Sequence, residues 1–240
     1  MKNNQLSRRT LFHHACRGSV VLAAGLAFPA VAADGKKASL TPDQALAKLK
    51  QGNAEFLANR EPKNAEQNRH RRLEIAKGQT PFAVLVGCSD SRVPPEVLFG
   101  VGLGELFIVR NAGNTVDTVA LGSIEYGVLV LGAPLVIVLG HERCGAVEAA
   151  LAVVEKNATF PGSIGQMIEP IIPAVLQARS GGGLTGAPLL DAAVRANVRR
   201  TVNRLRSAEP SVIEPQREGK LKIVGARYDL DDGRVEFFED

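Results

Sequence analysis

Three short, unbroken apolar runs constrain this chain more than any other feature: Phe82-Ala83-Val84-Leu85-Val86, Leu106-Phe107-Ile108-Val109 and Leu135-Val136-Ile137-Val138-Leu139. Runs of this length suit strands covered on both faces, as in a parallel sheet. Helical stretches separate them, notably 117–131. The alternation predicts an α/β fold, a central and mostly parallel β-sheet flanked by helices. An earlier helix is expected from Pro42 to about Asn59, with proline in its first turn and Asp43 at its positive end. A charged helix is expected over 66–77; its run Arg69-His70-Arg71-Arg72 reads as a solvated face or a contact between subunits. After the third run, helices are expected over 145–156, 163–178 and 189–206. Pro170 and Pro173 should kink or split the middle one. Strands over 221–228 and 234–238, around Asp231-Asp232-Gly233, read as a hairpin. Gly132 and Pro134 interrupt the apolar stretch 128–139, which is therefore not a membrane span.

Two clusters of polar chemistry follow two of these runs. Cys88-Ser89-Asp90-Ser91-Arg92 comes after the first strand, and His141-Glu142-Arg143-Cys144 after the third. In open α/β sheets, ligands bind beyond the carboxyl ends of the strands, so the two clusters can converge. Two thiols and one imidazole, Cys88, Cys144 and His141, form a set that suits zinc and leaves a fourth tetrahedral position open. A helix opening at Gly145 places its positive end beside Cys144 and should favour the thiolate. Asp90, held ionised by Arg92, can accept a hydrogen bond at the open position; alternatively it closes the site as a fourth ligand. Other readings stay open at this point. The two cysteines can form a disulfide, and Cys-Ser-Asp-Ser-Arg can be a polar turn that caps a helix.

The first residues read as an export signal. Ser7-Arg8-Arg9-Thr10-Leu11-Phe12 is a twin-arginine pattern, an apolar stretch 20–27 follows, and Ala30-Val31-Ala32 suits cleavage. The expected organisation is a signal peptide over 1–32 and one catalytic domain over 33–240, periplasmic or secreted, with no stable membrane anchor. Residues 1–32 carry four of the 29 basic residues and no acid, so the remainder holds 25 basic and 25 acidic residues. That balance removes the case for a nucleic-acid partner. A twin-arginine route also exports folded, loaded proteins. A metal inserted before export would protect both thiolates from an oxidising compartment, where disulfides persist.

Cys88-Ser-Asp-Ser-Arg92-Val93 and Gly140-His141-x-x-Cys144-Gly145-Ala146 resemble the two zinc signatures of the β-class carbonic anhydrases. The similarity extends through Gln79-Thr80-Pro81, Arg110-Asn111-Ala112-Gly113-Asn114 and Ser123-Ile124-Glu125-Tyr126 to the last strands. It implies one zinc per subunit, held by Cys88, His141 and Cys144, and the reversible conversion of carbon dioxide to bicarbonate and a proton by a zinc-bound hydroxide. Asp90 and Arg92 match the catalytic pair. Gln79, Phe107 and Tyr126 match substrate-binding residues, and the N–H of Gly145 would face the substrate. The resemblance also implies a homodimer or tetramer with active sites at the subunit interface.

Two positions depart from the family pattern. Leu85 stands where some bacterial members carry a tryptophan of a regulatory bicarbonate pocket, although Arg110 matches another residue of that pocket. The open form of the site, with water on zinc, is therefore expected near neutral pH. Glu142-Arg143 replaces smaller polar residues; Glu142 is either a proton relay or a partner in a surface ion pair. Alternative functions on the same residues are hydrolysis of carbon disulfide or carbonyl sulfide, a non-catalytic zinc protein, or a thiol redox protein.

Overall fold

In the computed structural model, residues 39–60, 67–207 and 209–238 are described. The expected signal peptide lies outside them. Helix α1 (Pro42–Leu57) begins at a capping box: Thr41 accepts from the N–H of Gln44, whose side chain accepts from the N–H of Thr41. There follow α2 (Arg69–Ile75), β1 (Ala83–Cys88), α3 (Pro95–Leu98), β2 (Leu106–Asn111), α4 (Thr118–Glu125) and β3 (Leu135–His141). Then come α5 (Gly145–Lys156), α6 (Ser163–Ile168), α7 (Ile172–Ser180), α8 (Gly186–Arg206), α9 (Pro210–Arg217), β4 (Lys222–Tyr228) and β5 (Val235–Phe238).

The five strands form one sheet in the order β2-β1-β3-β4-β5. All neighbouring pairs are parallel except β4–β5, which form the expected hairpin. From β1 the chain steps outward to β2 and then returns to β1's other side as β3. The strand order therefore reverses at β1, which sets a crevice beyond the carboxyl ends of β1 and β3.

β1 and β3 are buried along their whole length. Their side chains alternate between two cores, as the period of a strand requires. Leu85, Leu135, Ile137 and Leu139 pack with Ala45, Leu46 and Leu49 of α1. Val84, Val86, Val136 and Val138 pack with Ile124 of α4 and with Val198, Val202 and Leu205 of α8. Glycine lets α8 lie against the sheet: a Cβ at Gly140 would sit 2.5 Å from a methyl carbon of Val198.

Several boundaries differ from expectation. β1 and β3 run further, so Cys88 and His141 are their last residues and do not follow them. The helix expected over 117–131 stops at Glu125 and continues as one π-helical turn, Tyr126–Val130. The middle helix splits at Pro170 and Pro173 into α6, a 3₁₀ turn over Glu169–Ile171, and α7. α3 and α9 were not foreseen; each begins at a proline, and α9 contains Pro215 as well.

Candidate metal centre

Parallel pairing builds the centre. Gly87 of β1 lies opposite Leu139 of β3, so Cys88 and His141, the last residues of the two strands, emerge at the same end of the sheet, one residue out of register. The chain turns at Arg143, in the left-handed region at φ +50°, and Cys144 becomes the N-cap of α5. The sulfurs of Cys88 and Cys144 are 4.0 Å apart, and both cysteines are free. Ligand atoms of Cys88, His141 and Cys144 all lie within 4.8 Å of one another.

His141 is fully buried. Its Nδ1 donates to the carbonyl of Glu142 at 2.9 Å. A carbonyl only accepts, so the proton sits on Nδ1 and the lone pair on Nε2. That buried Nε2 has no hydrogen-bond partner. An unmet buried acceptor costs about 1–3 kcal/mol, and a cation between Nε2 and the two sulfurs removes the cost. Two soft thiolates and one imidazole suit zinc, so these residues fit the metal that the resemblance implies.

The thiols bias one another. The S–H of Cys144 favours the Cys88 thiolate and lowers its pKa against the cost of burial, with help from His141 and the N–H groups of Gly113 and Asp90. The same contact with Cys88, added to burial, pushes the Cys144 thiol up. The N–H groups of Val147 and Ala146, at the start of α5, push it down as expected, but the adjacent thiol and burial outweigh them.

Arg92 grips Asp90 at both oxygens, Nε to Oδ1 at 2.9 Å and Nη2 to Oδ2 at 2.7 Å. The backbone N–H of Arg92 adds a bond to Oδ1 at 3.0 Å. These bonds, the side-chain ones first, hold the Asp90 carboxyl well below the usual carboxylate range. Oδ2 faces His141 Nε2 at 3.7 Å, beside the Cys-His-Cys cluster. Arg110 completes the loop. Its Nε donates to the carbonyl of Cys88 and its Nη2 to that of Asp90, each at 2.7 Å. In sequence it reads only as a match to a regulatory pocket. Its place opposite Gly87 in β2 is the signal that would have found the clamp.

Leu85 is wholly buried in the α1-side core, away from the centre. Gly145, the first residue of α5, is exposed beside Cys144, and a Cβ there would touch nothing within 4 Å. Within one chain, the other expected substrate residues are not brought to the centre. Phe107 pairs with Val84, at the far end of β1 from Cys88, and its ring lies 6.1 Å from that of Tyr126. Gln79 is exposed and precedes β1, roughly 20 Å of strand away from Cys88. The carboxylate of Glu142 turns outward. It accepts from the N–H of Leu230 at 3.2 Å and lies 3.4 Å from Arg143 and 3.7 Å from Arg227, the contacts of an ion pair.

The carbonic anhydrase family profile matches residues 83–235. Carbonic anhydrase 2 of Mycobacterium tuberculosis is 43% identical over 187 residues, 78% of this chain and 88% of that protein. A carbonic anhydrase of Mycolicibacterium smegmatis is 40% identical over 78% of this chain and 89% of its own length. Among solved structures, a tetrameric β-carbonic anhydrase of Sordaria macrospora superposes with a TM-score of 0.66 at 25% identity, over 72% of this chain and 88% of that one. The Coccomyxa β-carbonic anhydrase in complex with acetazolamide gives a TM-score of 0.61 at 30% identity, over 68% and 74%. With its parallel sheet, its Cys-His-Cys cluster and these relatives, the chain belongs to the β-class carbonic anhydrase family.

Proposed function

We propose that Cys88, His141 and Cys144 hold the zinc with which this enzyme hydrates carbon dioxide reversibly, and that Asp90 and Arg92 orient the reacting water. One observation carries the ligand assignment: the buried, unpartnered Nε2 of His141 faces two free thiols. Bound there, zinc lowers the pKa of a water molecule and supplies a nucleophile near neutral pH. The protein's own groups do the rest. Nδ1 of His141 keeps its proton on the Glu142 carbonyl, which presents Nε2 as the ligand atom. Asp90, engaged at both oxygens, stays ionised and accepts a hydrogen bond from the reacting water, so that the oxygen's lone pair points outward. The Asp90–Arg92 pairing supports the open form, in which Asp90 works beside the fourth position without filling it. The N–H of Gly145, at the positive end of α5, is free to meet a developing negative oxygen.

The assembly is part of the same reading. β2 is an edge strand, only half buried, and Val119, Tyr126 and Leu129 expose apolar surface next to it. A second copy paired along this face would cover that surface and bring Gln79, Phe107 and Tyr126 toward a neighbour's centre. The homodimer, alone or paired into a tetramer, is therefore the proposed functional unit. Export as a folded, metal-loaded protein to the periplasm or exterior rests on the twin-arginine pattern at 7–12. Among the described residues, no helix is long and apolar enough to cross a membrane.

The test is stopped-flow carbon dioxide hydration by metal-analysed protein, with oligomer mass from sedimentation. One zinc per chain and hydration lost on Cys88→Ser or His141→Ala support the assignment. Full activity in either variant overturns it.

A further inference from the structure

Behind the ligand cluster lies a buried polar contact that the catalytic reading does not use. Gly113 donates its N–H to the sulfur of Cys88 at 3.3 Å. The turn that carries this N–H is unusual: Gly113 and Asn114 both take positive φ, at +79° and +45°. A side chain at 113 is excluded, because its Cβ would lie 2.5 Å from Ile171 and 3.2 Å from Ala146. Glycine at such a site has many competing conformations, so something must select this one.

α8, distant in sequence, makes the selection. The Nδ2 of Asn197 donates to the carbonyl of Gly113 at 2.7 Å, across 84 residues of sequence. Thr201, one turn on, donates from Oγ1 to the carbonyl of Asn114 at 3.4 Å. Asn197 is 2% exposed and sits between Ala196 and Val198 on the buried face of α8. An apolar residue there would need no partner, whereas an amide does. The contact between Asn197 and Gly113 links α8 to the bond that Cys88 accepts.

We propose that Asn197 is a positioning residue for the metal: by fixing the turn at Gly113 and Asn114, it aims the Gly113 N–H at the Cys88 sulfur and so sets how tightly the site holds zinc. The proposal rests on the assignment of Cys88 as a ligand. An N–H on a thiolate steadies its direction and draws off part of its charge. Outer partners of this kind typically change metal affinity by about 10–100-fold.

The test uses the full protein with Asn197→Ala and the near-isosteric Asn197→Asp, which lacks the donor. Leu205→Ala, a fully buried change on α8 distant from the turn, serves as the control for lost stability. Zinc affinity is read by chelator competition, and thiolate ligation by the sulfur-to-metal charge-transfer band of the Co(II)-loaded protein. Expected are zinc affinities about 10-fold or more below wild type in both Asn197 variants, with a shifted band, and near-wild-type values in Leu205→Ala. In wild-type protein loaded with ¹¹³Cd, the Gly113 amide proton should show scalar coupling to the metal through the sulfur. Asn197 variants that match Leu205→Ala in affinity and band overturn the proposal. Absence of the coupling in wild type overturns it too, without need of a soluble variant. Wild-type protein that shows no thiolate band with Co(II) overturns the ligand assignment itself, a separate failure.

Discussion

Both carboxylate oxygens of Asp90 are held by the one guanidinium of Arg92, at 2.9 and 2.7 Å, and the carbonyl of Arg143 receives the same Nη2 at 3.3 Å. The Asp90 carboxylate is thus tied to the loop that carries His141 and Cys144. Asp90→Asn keeps the shape but not the charge. We expect carbon dioxide hydration to fall by about 100-fold or more while zinc content stays at one per chain. Stopped-flow rates beside metal analysis check this, and wild-type turnover would remove Asp90 from the mechanism. A crystal structure near neutral pH with Asp90 on zinc would refute the open form.

Glu142 tests the opposite expectation. Its carboxylate meets Leu230, Arg143 and Arg227, not the centre. Glu142→Gln should leave turnover within about two-fold of wild type and lower stability by about 1 kcal/mol, the typical worth of such a contact. Parallel rate and thermal measurements decide; a large loss of turnover with intact stability would restore the relay.

The charged cluster behind the hairpin gives a pH dependence. Arg227, 8% exposed, pairs with Asp229 at 2.9 Å, and this bond holds the Asp229 carboxyl below its ordinary 3.8. The folded value is lower than the unfolded one, so the stabilisation is complete above pH 3.8 and disappears as pH falls through the folded value. The melting temperatures of wild type and Asp229→Asn should therefore differ by a constant amount from pH 5 to 8. The gap should close in more acidic solution. A gap that widens below pH 4 would contradict the pairing.

Packing at Gly140 predicts a compensating pair. A methyl group there would meet Val198 at 2.5 Å, one residue before a ligand. Gly140→Ala should cost about 1–3 kcal/mol through overpacking. Adding Val198→Ala should recover part of the loss, since the two side chains share the space. Denaturant unfolding of the double-mutant cycle measures this; strictly additive losses would place the strain elsewhere.

Much of this architecture was legible in the chain because its physics is local. Runs such as 135–139 suit covered strands, and Cys88 and His141 declare themselves by following two of the runs closely. Pro42 and Asp43 mark the start of α1 in the same way. What escaped depends on contacts distant in sequence. Nothing near Asn197 points to Gly113, 84 residues away, and Arg110 acquires its role only when β2 lies beside β1. The π-helical turn at 126–130 keeps a helical pattern and differs only in hydrogen bonding. Gln79, Phe107 and Tyr126 match by resemblance, yet within one chain Phe107 lies at the far end of β1 from Cys88 and Gln79 precedes that strand, distances that a match of sequence position does not reveal.

Because Cys88 and His141 close neighbouring strands of one ladder, the space between them is inherited from backbone pairing. The spacing of adjacent strands is a constant of sheets, about 4.8 Å. The cradle is therefore assembled by the same bonds that build the interior, before any ion arrives. Many small metal-dependent domains fold only around their ion. Here the strands that end in Cys88 and His141 are held by their own ladder and by two apolar cores, so stripping the metal with a chelator is expected to leave the far-UV circular dichroism unchanged, and refilling is expected to need no refolding.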